Sequence, residues 1–184
     1  MKKSILLVIS LLLVPMLASA HNFQLQQRVP PTGVSDKGEL LYLNNQFSYK
    51  TWSSAQLNGK VRVVQHIAGR TSAKEINTPL IDAIKAAKLP HDYYQTTTII
   101  NTDDAIIGTA MFVRNSIEDS KKEFPWSQFI VDSNGIVLKA WELQPKGSAM
   151  VVLDKEGKIQ FAKEGALTPQ EVIQVMALLH QLLK

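Results

Sequence analysis

The chain contains no cysteine. Disulfide bracing, thiol–disulfide exchange, cysteine-based peroxide reduction and thiolate ligation of soft metals are therefore excluded, and the fold must hold by packing alone. Net charge is also small. Twenty Lys and Arg against 16 Asp and Glu give +4, with no run of like charge, so neither nucleic acid nor an anionic membrane surface is indicated as a partner. Apart from Ile5 to Leu17 there is no long apolar run, and there is no internal repeat, phosphate-binding loop, serine-hydrolase elbow or zinc helix.

What is present begins with an export signal. Lys2 and Lys3 precede the apolar run, and Ala18-Ser19-Ala20 is a small-x-small cleavage site. The run is shorter than the roughly 20 residues a spanning helix needs, and Pro15 interrupts it. Residues 1–20 are read as a cleaved signal peptide and residues 21–184 as a single domain, with no stable membrane anchor after cleavage and a charge of about +2 once Lys2 and Lys3 are gone. The expected location is the periplasm.

Hydrophobic periodicity then orders the chain. Residues 21–36 read as an extended arm, and Glu39–Leu43 and Gln46–Tyr49 as a hairpin about Asn44-Asn45. Val61–Ile67 reads as a strand buried on both faces. Ser72-Ala73-Lys74-Glu75 fits a capping box opening a helix through Ala87, which Pro79 should kink. A strand comes next at Thr96–Asn101, then a helical stretch opened by Asp103 and Asp104 and ended by Lys121-Lys122. Gln128–Val131 is a short strand, leading through an Asn-Gly turn to Ile136-Val137-Leu138. Ala149–Leu153 and Ile159–Ala162 form a second hairpin. Thr168-Pro169-Gln170-Glu171 opens a final helix through Leu183, its apolar stripe centred on Val172, Met176 and Leu179. Parallel crossovers, an antiparallel hairpin and a terminal helix, in that order, predict an α/β chain in three layers around a mixed sheet.

From Gly59-Lys60 and the strand Val61–Ile67 through Ala68-Gly69-Arg70-Thr71-Ser72-Ala73-Lys74 to Pro79, the sequence resembles exported thioredoxin-like proteins stripped of their redox site. In that frame Thr71 and Lys74 stand where the Cys-x-x-Cys cysteines would be, Arg70 stands at the usual tryptophan, and Ser148 replaces the proline before the last hairpin. The export signal, the Gly-Arg-Thr-Ser-Ala-Lys-Glu segment, and Phe-Pro-Trp followed by Val-Asp-Ser-Asn-Gly resemble the YtfJ family of exported bacterial proteins. The resemblance implies a thioredoxin-like three-layer fold with a central mixed sheet and an N-terminal β-hairpin extension. It implies no catalytic residue.

The candidate site is the set of degenerate positions Arg70, Thr71, Ser72, Lys74 and Ser148, together with His66 at the end of the core strand. Free amides at the loop-to-helix junction favour an anion or a peptide terminus, and a hydroxyl beside a lysine resembles a Ser-Lys nucleophile pair, although capping already accounts for Ser72. Trp52, Trp126, Trp141 and Phe124 either line a groove or edge the core. The expected function is a non-redox module binding a periplasmic protein or peptide, with no cofactor. The alternative is a thiol-independent enzyme, using the Thr71–Lys74 loop, or a copper carrier. Copper would use the amine and imidazole of His21, the first residue after cleavage, with His66.

Overall fold

In the computed structural model, which describes residues 21–184, the run Val61–Ala68 is buried along its whole length and forms a central strand, as its Val and Ile content predicts. The expected signal peptide, residues 1–20, lies outside the described residues. The strands are β1 (Gly33–Leu43), β2 (Gln46–Ser53), β3 (Val61–Ala68), β4 (Tyr94–Asn101), β5 (Gln128–Asp132), β6 (Ser148–Leu153) and β7 (Ile159–Glu164). The helices are α1 (Thr71–Glu75), α2 (Thr78–Ala87), α3 (Ala110–Glu123), α4 (Ile136–Ala140) and α5 (Pro169–Leu182). One mixed sheet runs in the order β2-β1-β5-β4-β3-β6-β7. Strands β3, β4 and β5 are parallel, and the hairpins β1–β2 and β6–β7 add antiparallel strands on either side.

The crossovers β3–α2–β4 and β4–α3–β5 step the same way across the sheet, so their common handedness puts α2 and α3 on one face. There α2 and α5 pack Leu80, Val175 and Leu179 on Val63 and Val152, while α3 packs Ile117 with Ile67, Ile100 and Phe129. On the other face Val137 and Trp141 meet Val64, Ile99 and Ile130, with Phe23 and Val29 of the N-terminal arm covering them. The Trp141 indole donates to the Pro30 carbonyl, which ties the arm down. On α5, Ile173 lies outside the apolar stripe and faces solvent.

Local signals fail at three places. The capping box at Ser72 does not form, because α1 is capped by Arg70 without a side-chain bond. The end of β3 is tied to β4 by the Gly69 N–H on the Asn101 carbonyl at 2.7 Å, an approach that a Cβ at Gly69 would crowd at 3.1 Å. The chain therefore turns into the helix at Arg70, and Ser72 falls inside the first turn. Pro79 does not kink a helix; it starts one. Having no N–H, proline is suited to the first turn, where its donor would have no helical partner. Asn77 leaves the helical region there, and its carbonyl takes the Leu80 and Ile81 N–H groups. Asp103 and Asp104 belong to a separate 3-10 turn, so α3 opens only at Ala110.

By contrast the box at Thr168 is complete. Its hydroxyl accepts from the Glu171 N–H at 3.2 Å and the Glu171 carboxylate accepts from the Thr168 N–H at 2.7 Å. Replacing Thr168 by alanine should lower stability by about 1 kcal/mol, read as a shift of the urea midpoint at unchanged m-value.

Candidate functional site

Of the positions aligned with a redox site, Arg70, Thr71 and Lys74 border one opening, whereas Ser72, Ser148 and His66 do not. The Arg70 guanidinium turns back to the Asp104 carbonyl, with Nε at 3.0 Å and Nη2 at 2.5 Å. Thr71 and Ser72 are exposed, and the Lys74 ammonium donates to the Ser116 hydroxyl on α3 at 3.0 Å. With five residues, α1 presents too little aligned backbone to make an anion site of its own.

Ser148 is 4% exposed, and its hydroxyl accepts from the Asn77 amide at 3.3 Å. The same Asn77 side chain donates to the Gly165 carbonyl and accepts from the Leu167 N–H, so one buried amide joins the α1–α2 break to the chain leaving β7. Around Ser148 the backbone is also satisfied. The Gly147 carbonyl accepts from Ala68 and the Ser148 carbonyl from Gly165. An extended substrate has no free carbonyl to pair with at these two residues.

His66 alternates with Gln65 and Ile67 along β3 and shares the α4 side with Val64. It is 3% exposed, its Nε2 has no partner among the described residues, and burial pushes its pKa down to about 4 despite the nearby negative charge of Asp104. His21 accepts the Phe23 N–H through Nδ1 and lies 4.8 Å from the Phe23 ring, which in turn packs edge-on against Trp141. Among the described residues no group of three His, Cys, Asp or Glu side chains is placed to hold a metal.

The open space lies on the sheet face between α2 and α3. A groove of about 810 Å³ has Gln65, Ile67, Thr96, Thr98 and Phe129 along its floor. Ile81 and Lys85 of α2 form one wall, and Ser120, Glu123 and the adjoining Phe124 form the other. A second groove of about 420 Å³ continues it toward Arg70, Thr71, Ile106 and Phe112, and Ile67, Lys74, Thr98, Ser120 and Phe129 line both. Together they make one trench along β4, whose residues Tyr94 to Ile100 span about 20 Å.

At the larger end Trp126 is 44% exposed and stacks on His91 at 4.3 Å, while the Lys85 ammonium sits 4.6 Å from the centre of the Phe124 ring. Trp52 and Trp141 are buried in the core instead. On the floor Gln65 is 5% exposed, and its Nε2 is a buried donor without a partner among the described residues. The trench escapes sequence reasoning because segments far apart in the chain, from β3, α2, β4, α3 and β5, build it. Its legible traces are Gln65, polar where Val61, Val63 and Ile67 share its face of β3, and the run Thr96-Thr97-Thr98 on β4.

Known proteins share this architecture. Residues 23–182 match the family described as "Bacterial protein of unknown function (YtfJ_HI0045)". The chain is 68% identical over 179 residues to the "Uncharacterized protein YtfJ" of Escherichia coli K12, covering 97% of each. It is 47% identical over 184 residues, the full length of both, to an uncharacterized protein of Haemophilus influenzae. Among solved structures, the thioredoxin domain of a thiol-disulfide oxidoreductase from Bacteroides vulgatus superposes with a TM-score of 0.56 at 14% identity, over 89% of this chain and all of that one. A thiol-disulfide isomerase from Corynebacterium glutamicum gives 0.53 at 17% identity, over 89% and 97%. At such identities the likeness shows the fold alone, which is thioredoxin-like and, here, cysteine-free.

Proposed function

The chain belongs to the YtfJ_HI0045 family of bacterial proteins, and from that premise we propose that it is a periplasmic, thiol-independent binding module that holds an elongated, mainly apolar ligand in the trench between α2 and α3. One observation carries the reading: a groove of about 810 Å³ with a buried, unpartnered Gln65 amide on its floor. That volume is in the range of small-molecule sites, as is a largely apolar wall broken by a few polar groups. The periplasmic part of the proposal rests on the export signal read in residues 1–20.

A peptide, the partner expected from the degenerate positions, suits the trench less well. The floor is the face of a sheet whose backbone is already paired, and the Gly147 and Ser148 carbonyls are occupied. A peptide laid there would bury its own amides against side chains alone, with Gln65, Thr96 and Thr98 to meet them on the floor, at a cost of about 1–3 kcal/mol for each one left unpaired. A ligand with an apolar body and few polar atoms avoids that cost.

The test is titration of the mature protein with the uncharged dye N-phenyl-1-naphthylamine. Dye fluorescence should rise saturably, with quenching of tryptophan emission assignable to Trp126 by its loss in Trp126→Phe. Ile81→Lys, which puts a charge on the wall, should weaken binding by at least about tenfold, or about 1.4 kcal/mol. Absence of saturable binding, or binding indifferent to Ile81→Lys, would sink the proposal.

A further inference from the structure

We infer that the ligand is an aliphatic monocarboxylic acid, with its carboxylate between Lys74 and Gln65 and its chain in the larger groove. The inference rests on the trench being a ligand site and goes on to name the ligand's chemistry. Lys74 extends from α1 to Ser116 on α3, so its ammonium crosses the trench where the two grooves meet. Its hydrogen-bond partner is a neutral hydroxyl, and among the described residues no carboxylate lies within ion-pair reach of it. Gln65 lines the larger groove and pairs in register with Thr98, which lines both, so its residue stands on the floor beside the same junction.

One cation and one neutral N–H form a charge-assisted pair of donors matched to a single carboxylate. Burial of Gln65 raises the value of that match, since its donor is otherwise unmade. A dianionic headgroup would have one cation at the junction to balance two charges. Farther out, Lys85 and Lys88 lie on the rim with Asp82 and Glu123, so the rim is mixed in sign and selects weakly. Beyond the junction the lining includes Ile81, Ile84 and Leu89, which suit an alkyl chain. Lys74 thus occupies the place of the second cysteine and turns a redox position into an anion receptor.

Displacement of N-phenyl-1-naphthylamine tests this, using decanoate, octanoate and decanol on wild type, Lys74→Gln and Gln65→Leu. Decanoate should bind more tightly than decanol, and octanoate roughly tenfold or more weakly than decanoate, since each methylene contributes about fourfold. Lys74→Gln should cost decanoate at least about tenfold and decanol several-fold less than that, with the exposed position keeping the fold intact. Gln65→Leu should weaken decanoate more than decanol. Decanol binding as tightly as decanoate, with neither variant separating them, would overturn the carboxylate assignment and leave the trench a binding site. Dye that no acid or alcohol displaces would overturn the assignment too, and dye that does not bind removes both proposals.

Discussion

Gly38→Ala should lower stability by about 3 kcal/mol or more, a larger loss than its single added methyl suggests. Gly38 is buried in β1 at the irregularity between Val34 and Glu39, with φ at +78°, a region that L side chains rarely enter. A Cβ there would lie 2.2 Å from the Lys50 carbonyl oxygen of β2, and backbone cannot swing aside as a flexible side chain can. The same residue pairs with Val131 of β5 on its other side, so β1 has nowhere to move. The next two residues are packed into the interior: Leu40 is fully buried, and the Glu39 carboxylate accepts from Gln128 and pairs with Lys50, each at 3.1 Å. Gly59→Ala is the control, having φ at +89° but no atom within 4 Å of the added carbon, and should cost only about 1 kcal/mol. Urea unfolding of the two variants separates strain from collision. Equal losses would mean that the hairpin register does not depend on Gly38.

The two capping boxes show where the sequence is legible and where it is not. Thr168 and Ser72 carry the same signal, yet only Thr168 caps. Before Thr168 the chain is a loop free to take the extended cap geometry, whereas Ser72 comes after a strand whose end is bonded across the sheet at Asn101. Tertiary pairing decides the start of that helix. Helix α4 is hidden for a related reason: its N–H groups are met by Asp132, whose carboxylate takes Ile136 and Val137 across the intervening turn at 3.1 and 2.8 Å. Strands and hairpins are legible because period-2 patterning and Asn-Asn or Glu-Gly turn chemistry act over a few residues.

The site is less legible than the fold. Positions aligned with a redox frame report what chemistry has gone, and Ser148 and His66 are packed rather than open. A trench made from one face of three strands and two helices leaves no contiguous motif. Lys74 belongs both to the degenerate frame and to the trench junction, and only its partner on α3 shows the second placement.

His66 should make the protein acid-sensitive well above the carboxylate range. Burial holds its imidazole near pKa 4 in the fold, against an ordinary value of 6.5. Between those values the unfolded chain binds a proton that the native state refuses, so stability falls as pH drops from about 6.5 to about 4 and this group contributes no further slope below that. The full span is worth about 3 kcal/mol, of which about 2 kcal/mol should be lost by pH 5. Glu171 acts in a lower window. Its carboxyl is held to about 2, chiefly by its hydrogen bond from Lys163, so its contribution goes only as pH falls below its ordinary 4.5. Urea midpoints of wild type and His66→Leu at pH 7.5, 6 and 5 therefore isolate the histidine. The variant removes a buried ring nitrogen that has no partner among the described residues, so it should match or exceed wild type at pH 7.5. Its relative advantage should grow by about 2 kcal/mol at pH 5. An advantage that does not grow would mean that native His66 accepts a proton readily. Its place in β3, paired with Ile99 on one side and Ala149 on the other, makes that costly, because among the described residues no side chain meets its Nε2 at bonding distance to share the charge.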